Sequence, residues 1–434
     1  MLGQPVDVTA IKSGACDIVV SLVKDDSCGS RVVRTGFRPS ATKGARLHHR
    51  WAGTREDLGG AAEYSEADVR SGRRRGSGKI PVSQQRVLVA DDGAENSRST
   101  LAAVRALGLA GYRPIVTVAT KRSLASSSRW CAGVIHVPLG GGSLWGETVI
   151  PAMEAIDALT VIPASDAAVL ALKLPGAPLL DKRIVHSRAR SAGLRVPEEQ
   201  AFCSKDDLLA HQDRLPYPIV VKPVIRRSFD APTSMRVDHK GQLQVAPDAA
   251  VVVQPFLSGS ISSFNGVVKQ GRWIAAVHQR YERVWPPQCG SASAAVTIPH
   301  DAPLEEKLLQ LVAGHEGIIE VEFADGHVID VNPRAYGSLP LAVKAGANLP
   351  AMWCASGHDR RPWPQPVRAT PGVRYRWLDA DLRCITAQVR ARNLTIPNAL
   401  RALAPRAGTA HSIEEWRDPA PMLVRATQLG RFLA

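Results

Sequence analysis

Residues 317–338 read GIIEVEFADGHVIDVNPRAYGS, with Glu320, Glu322, Asp330 and Asn332 set among Ile319, Val321, Phe323, Ile329 and Val331 on either side of Asp325-Gly326. Carboxylates on adjacent strand positions repel one another unless a cation lies among them, and an all-oxygen set with one amide carbonyl is what Mg²⁺ accepts. Whether these groups converge depends on the loop. A two-residue loop pairs Ala324 with His327, Glu322 with Ile329 and Val321 with Asp330, which sends Glu322 and Asp330 to opposite faces. A three-residue loop, Ala324-Asp325-Gly326 with Gly326 as the left-handed residue of a bulge, pairs Phe323 with His327, Glu322 with Val328 and Glu320 with Asp330. The second register gathers Glu320, Glu322, Asp330 and Asn332 on one face and the apolar residues on the other, so it is the expected one. A solvent-facing polar side of an edge hairpin would alternate in the same way. Against that, Pro333 ends the strand and Arg334 is placed to reach anionic oxygens at the same site.

The rest of the chain must supply elements around this hairpin. With 434 residues the chain is too long for one core, so two to four domains are expected. Hydrophobic content of 45% and charged content of 22% are ordinary for a soluble protein, and no run approaches the ~18 apolar residues of a membrane span. The net charge of +14 is spread along the chain, densest in RSGRRRGSGK at 70–79. It reads as a solvated basic surface, which also suits a phosphorylated ligand, rather than as a nucleic-acid site. Seven scattered cysteines, none spaced C-x-x-C, argue against a disulfide framework and a zinc site, and a cytoplasmic location is expected. CDIVVSLV, the apolar run near the N-terminus, is too short for a signal peptide.

Residues 1–80 lack periodicity and read as a largely disordered basic extension. The span 86–120 reads strand, polar loop, helix with Leu101, Val104 and Leu107 on one side, a stop at Gly111, and a second strand. That β-α-β pattern implies a parallel sheet. Its loop DDGAENS has no G-x-G-x-x-G, which disfavours a dinucleotide oxidoreductase, and Gly140–Gly142 reads as plain loop. Strand, turn and helix follow over 158–172, a helix over 181–199 closed by Gly193 and Pro197, a short strand at 217–224, and strands at 250–259 and 264–281. The Arg-rich tail after 366 reads as mostly helical.

In order along the chain, HQRYERVWPP, the carboxylate and asparagine ahead of arginine in DVNPRAYGSLPLAVKAG, and GVRYRWLDADL resemble the ATP-grasp superfamily, and within it the predicted carboxylate-amine ligases. The likeness covers roughly residues 85–390. It implies an α/β fold: a parallel β-α-β domain at 81–180, a two-subdomain α+β ATP-grasp fold divided into 181–250 and 251–365, and a mostly helical segment at 366–434. It implies Lys182 and Lys222 as ligands of the ATP phosphates. An ammonium at the end of YPIVVK is costly to bury unless it meets an anion, the alternative being that it snorkels to solvent. It implies that the QPFLSG hinge, through Gln254, Phe256 and Leu257, reads adenine, although Pro255 stands where glutamate is usual and offers no N–H. It implies Glu322, Asp330 and Asn332 as ligands of Mg²⁺, with Mn²⁺ an alternative and Asp330 one methylene shorter than the commoner glutamate. The glycine-rich loop expected after Lys222 is replaced by PVIRRSFDAPTSM, where Arg226, Arg227, Ser228 and Ser234 offer donors instead.

The chemistry so implied is attack of a substrate carboxylate on ATP, giving an acyl phosphate and ADP, followed by displacement of phosphate by an amine. Arg334 is the expected partner of the transferred phosphoryl group. Period-two alternation in AAVHQRYERVW puts His278, Arg280 and Glu282 on one face, where His278 and Arg280 would hold the substrate carboxylate. The expected partners are therefore small carboxylates and amines, with neither membrane nor nucleic acid, and the oligomeric state is open, a homodimer included. Two rivals stand beside this reading: a non-catalytic nucleotide binder of the same fold, and a nucleic-acid-binding protein acting through residues 1–80.

Overall fold

The computed structural model describes residues 81–120, 123–140, 143–226, 234–287, 289–358 and 365–433, together with the backbones of three strands near the N-terminus. Those strands, β1 (Asp7–Ser13), β2 (Cys16–Lys24) and β3 (Arg31–Pro39), pair antiparallel in sequence order within a unit, 1–59, distinct from 60–434. The remainder of the expected basic extension, RSGRRRGSGK included, lies outside the described residues.

In the larger unit the apolar run RVLVA forms β4 (Arg86–Ala90), almost wholly buried, as a strand covered on both faces must be. With β5 (Arg113–Val118), β6 (Gly133–His136) and β7 (Thr160–Pro163) it makes the expected parallel sheet, in the order β6-β5-β4-β7. Between β4 and β5 runs α1 (Arg98–Leu109), capped by the Ser97 hydroxyl, with Leu101, Val104 and Leu107 inside. Helix α2 (Ser143–Ala155) leads back across the sheet to β7, which is followed by α3 (Asp166–Ala171), capped by Ser165. Because the chain turns one way from β4 and later returns on its other side, the carboxyl ends of β4 and β7 flank a crevice, the usual ligand position in such sheets.

Asp181 caps α4 (Lys182–Ser191) by accepting from Arg183 N, which places Lys182 on the first turn. A small antiparallel sheet follows, built from β8 (Gln200–Phe202), β9 (Ile219–Pro223), β10 (Met235–Val237) and β11 (Val251–Pro255), with α5 (Lys205–Ala210) packed beside it. The third and largest sheet is led by β12 (Ile261–Lys269) and β13 (Arg272–Trp285), where the sequence suggested one strand at 264–281. Gln270 and Gly271 both take positive φ, 49° and 67°, the backbone of a two-residue hairpin turn. Then come β14 (Ser291–Ile298), α6 (Ala302–Leu311), β15 (Gly317–Ala324) and β16 (His327–Asn332). After α7 (Leu339–Lys344) and α8 (Leu349–His358), the tail adds β17 (Val367–Arg368), β18 (Arg374–Arg376) and β19 (Ala410–His411) to this sheet. Its helices are α9 (Leu378–Arg390), α10 (Ile396–Leu403) and α11 (Ala420–Leu433).

The β15–β16 hairpin corrects the expected register. Asp325 and Gly326, at φ 49° and 70°, form a two-residue turn with Ala324 opposite His327 and Phe323 opposite Val328. The ladder then slips, Glu322 facing Asp330 and Glu320 facing Asn332, so Ile329 is the extra residue of a bulge in β16. A bulge adds one residue and restores the parity that the shorter turn would have inverted. Glu320, Glu322, Asp330 and Asn332 thus share a face after all, while Ile319, Val321, Phe323, Val328 and Val331 pack in a core with Val185, Leu308 and Leu311. Each such buried side chain contributes roughly 1.5–3 kcal/mol, enough to hold the register. Ile329, expected in that core, instead lines the cleft on the polar face. Among the described residues no helix is long and apolar enough to cross a membrane, and Cys131, Cys203, Cys289, Cys354 and Cys384 are free thiols.

Candidate active site

A cleft of about 410 Å³ lies between the small antiparallel sheet and the polar face of the large one. Its walls combine an apolar end, with Val220, Phe256, Leu257, Trp285 and Ile329, and a charged end with Lys222, Glu322 and Asp330. A cleft of this size with a few convergent polar groups has the usual form of a small-ligand site.

The bulge supplies more than parity. Lys222, on β9 and only 5% exposed, donates from Nζ to the carbonyl of the bulged Ile329 at 2.7 Å. Lys182 Nζ lies 3.3 Å from Asp330 Oδ1. Burial holds the Lys222 ammonium below its usual range, against the pull of Asp330. Asp330 is held below the ordinary carboxylate range: burial works the other way, but the two lysine charges outweigh it. Burial and the Asp330 charge push Glu322 up. Two ammoniums and two carboxylates are therefore held close together with little solvent, and each would gain from a ligand carrying both anionic oxygens and a cation.

Glu320, which the sequence left without a role, holds its neighbours. It accepts from Asn332 Nδ2 at 3.1 Å and from the Tyr281 hydroxyl at 3.3 Å, and that same hydroxyl donates to Glu322 at 2.9 Å. Burial and the Glu322 charge push its carboxyl up to about 8. The Asn332 amide is oriented from both sides, because its Oδ1 accepts from Arg334 at 3.0 Å. Arg334 also binds Asp166 of α3 at 2.5 Å, and Asp166 raises its pKa despite burial. Among the described residues no three His, Cys, Asp or Glu side chains are gathered in a metal-binding arrangement. The donor set facing the cleft is Glu322, Asp330 and the Asn332 oxygen, hard oxygens of the kind Mg²⁺ accepts. Burial and the Asp330 charge still outweigh Lys222 and Arg334 at Glu322, and the chemistry of this set fits a divalent cation.

His278 and Arg280 do not face this site. Strand β13 presents its odd-numbered residues: Gln279 donates to Ser263 and Ser338, Tyr281 reaches the two glutamates, and Arg283 binds Asp381 through two bonds of 2.6 and 3.0 Å. His278 is on the other face, edge-on to Phe264 and 3.2 Å from Glu305 of α6, and burial lowers its pKa. Arg280 is exposed. The alternation itself holds, but the face was chosen wrongly; Phe264 in the core opposite His278 was the signal that could have set it. Arg283 shares the Tyr281 face by the same alternation, although the ladder with β14 is irregular on both sides of it.

Beside the cleft is a second cavity of about 300 Å³, lined by loops after β4 and β7. Arg98, Arg334, Gly337 and Trp377 line both spaces, so the two are contiguous. Here the GVRYRWLDADL segment finds its use: Tyr375 accepts from Arg98 Nη1 at 3.1 Å and donates to the Gly337 carbonyl at 3.0 Å, and Trp377 lies under the Arg98 guanidinium at 3.5 Å. Neither Arg98 nor the aspartates of DDGAENS were singled out as ligands by sequence reasoning.

No family model matches the chain. Over 213 residues it is 27% identical to the vancomycin B-type resistance protein VanB of Enterococcus faecalis, covering 41% of this chain and 60% of that protein. Over 195 residues it is 26% identical to the carbamoyl phosphate synthase large chain of Gemmatimonas aurantiaca, covering 40% of this chain and 18% of that one. It therefore spans less than two thirds of the curated relatives it matches. The solved structure of N5-carboxyaminoimidazole synthetase from Staphylococcus aureus complexed with ADP superposes with a TM-score of 0.50 at 12% identity, covering 67% of this chain and 80% of that one. The chain has the fold of the ATP-grasp ligases and is similar in sequence to members of that group.

Two departures from the ATP-grasp pattern have structural counterparts. At the hinge, Pro255 lacks an N–H and the Phe256 amide donates to Pro218 O at 2.9 Å, while the Gln254 side chain donates to Glu199 at 2.7 Å. Phe256 lies against Arg236, whose guanidinium carbon is 4.1 Å from the ring centroid. In PVIRRSFDAPTSM, the segment after Lys222, Arg226 lines both spaces and Ser234 the cleft; Arg227 and Ser228 lie outside the described residues.

Proposed function

We propose that this chain is an ATP-dependent ligase that activates a substrate carboxylate as an acyl phosphate, releases ADP, and joins the acyl group to an amine. The observation that carries the reading is the juxtaposition, in one cleft, of Lys222 and Lys182 with Glu322 and Asp330, next to a cavity whose mouth carries Arg98 and Arg334. The apolar end, with Phe256 and Ile329, accepts a flat base; its backbone contact falls to Leu257, since Phe256 N–H is engaged. Lys222 and Lys182 bind phosphate oxygens, and giving up the Ile329 carbonyl and Asp330 for phosphate costs each little, because both remain in a charge-assisted pair. Glu322 and Asp330, with Asn332 Oδ1, would hold Mg²⁺, which when bound neutralises phosphoryl charge. Glu320 and Tyr281 keep that set oriented. Arg334, fixed by Asp166, faces the junction where the carboxylate oxygen meets the terminal phosphorus. Positioning and charge neutralisation supply most of such a reaction, so no protein acid or base is required.

The test is coupled detection of ADP with pools of carboxylic acids and amines, using Lys222→Ala and Glu322→Ala as controls. AMP as the product, or full activity in both variants, overturns the reading. Pro255 and the engaged Phe256 amide favour one second reading, a nucleotide binder without turnover, which predicts ADP binding and no ADP release under any pool.

A further inference from the structure

The cavity of about 300 Å³ is floored by two successive aspartates at the end of β4, both 3% exposed, whose circumstances differ. Asp91 is used by the fold. Its Oδ1 accepts from the amides of Gly93 and Ala94 at 3.0 and 3.1 Å, and its Oδ2 from the Thr100 hydroxyl. Gly93 makes this turn possible: at φ +91° any Cβ would stand 2.6 Å from that of Ala119. Asp92 is left over. It lines the cavity, and its Oδ1 is buried with no hydrogen-bond partner among the described residues. A buried carboxylate oxygen without a donor opposes folding and is expected only where something outside the fold supplies one. Burial and the charge of Asp91 push the Asp92 carboxyl up to about 8, and the charge of Arg226 does not offset them. The missing complement is a hydrogen-bond donor, and one that carries positive charge would also favour the ionised carboxylate.

At the mouth of the same cavity, Arg98 shows the opposite deficit. Its guanidinium is held flat by Trp377 and by the Tyr375 hydroxyl, and among the described residues no carboxylate pairs with it. Gly337 leaves the room, since a Cβ there would stand 2.9 Å from the guanidinium carbon. Two of the other arginines on the wall differ: Arg334 is bound to Asp166 and Arg425 to Asp379. A rigid arginine with no acid is a pre-organised carboxylate site.

We propose that this cavity binds a zwitterionic amino carboxylate, its ammonium on Asp92 and its carboxylate on Arg98 at the mouth of the nucleotide cleft, so that an amino acid is the acyl donor. The acyl-donor part rests on the ligase reading above. The Arg98-bound oxygen attacks the terminal phosphorus, forming the new P–O bond as the bond to the bridging oxygen breaks, and ADP leaves with that electron pair. The second substrate's amine then attacks the acyl carbon, phosphate departs with the C–O electron pair, and the amine's proton is lost to solvent. A dicarboxylate would bring a second anion beside Asp91 and Asp92, and a plain carboxylic acid would leave Asp92 unpartnered. A volume of about 300 Å³ has room for an amino acid.

The experiment compares ADP release with the L- and D-amino acids and with the des-amino acid of each, using the full chain, Asp92→Asn and Arg98→Met. Amino acids are expected to support release and des-amino acids not. Asp92→Asn should raise KM for the amino acid about tenfold or more, the scale of a lost charge-assisted bond, with a smaller effect on kcat. The preference for the amino over the des-amino compound should collapse in that variant, while affinity for ADP with Mg²⁺, read by calorimetry, stays the same. Equal turnover of both classes by the unaltered chain, or an unchanged preference in Asp92→Asn, overturns the inference and leaves the ligase reading standing. If no carboxylate of either class releases ADP, the ligase reading falls instead. Calorimetric titration of the amino acids onto the ADP-bound protein then decides the site: binding lost in Asp92→Asn supports it, and no binding, or binding equal in both, refutes it.

Discussion

Lys222→Met separates a ligand-binding role from a structural one, because the first lowers nucleotide affinity and the second lowers the melting temperature. In the folded chain Nζ sits 2.7 Å from the Ile329 carbonyl at 5% exposure, with burial holding its pKa down. Methionine keeps the stem length and removes the desolvation cost of the ammonium. It also leaves the Ile329 carbonyl without its donor, worth about 1–3 kcal/mol of destabilisation. These effects oppose one another, so stability without nucleotide should change by no more than about 2 kcal/mol, a melting shift of several degrees at most. The loss of one charge-assisted bond to phosphate is about 1.5–3 kcal/mol, or roughly 10- to 150-fold in affinity for ADP with Mg²⁺. Calorimetric titration and thermal melting of the same preparation read both quantities. Unchanged nucleotide affinity, or a melting temperature lowered by more than about 10 °C, would make Lys222 a strut for the bulge and refute the phosphate assignment.

Arg280→Ala should leave ADP release within about twofold of the unaltered chain, since an exposed side chain on the face away from the cleft contributes little; a loss of tenfold or more in coupled assays would restore it to the site. Asp92→Asn should stabilise the chain in a pH-dependent way. An acid whose folded pKa is raised from 3.8 to about 8 costs nothing below the lower value, and its cost grows as pH rises toward the upper one. The variant's melting advantage should therefore widen between pH 4 and 8, with Asp91 and Arg226 the charges that face the position; an advantage that narrows over that range refutes the burial argument. Deleting Ile329 should remove the bulge and turn either Asp330 and Asn332 or the turn residues to the wrong face, at a cost of several kcal/mol. Soluble protein with an unchanged melting temperature would show that the bulge is dispensable.

Period-two and period-3.6 patterns carried most of the architecture. The continuous apolar run RVLVA, the capped helix after it and the Gly111 stop have clear local causes, and all three stand where the sequence places them. The polar face of β15 and β16 was legible as well, because a core excludes Glu320 and Glu322 while requiring Val321 and Phe323. The route to that face was not, since a turn one residue shorter and a bulge at Ile329 give the same sorting as the longer turn, and alternation alone cannot tell them apart. The choice of face on β13 failed for a related reason: both faces of that strand carry polar side chains, and only pairing with Phe264 and Val296 fixes which one the core takes. The cavity lined by Asp92 was out of reach for another reason. Asp91 and Asp92 are the same residue type in succession, and the contacts with Thr100 and Gly93 that occupy one and leave the other are visible only in three dimensions.

The bulge at Ile329 also bears on how such a site is lost. Every polar group here could survive intact in a descendant that had dropped this one apolar residue, and a comparison of side chains would find nothing missing. The vulnerable unit is a count, the number of residues between the turn and Asp330. A substitution at Glu322 or Asp330 removes one oxygen donor, whereas a single-codon deletion at 329 would rotate the remainder of the strand and take away the Lys222 acceptor with it. Insertions and deletions in this hairpin are therefore expected to separate active from inactive relatives more sharply than exchanges at the carboxylates themselves.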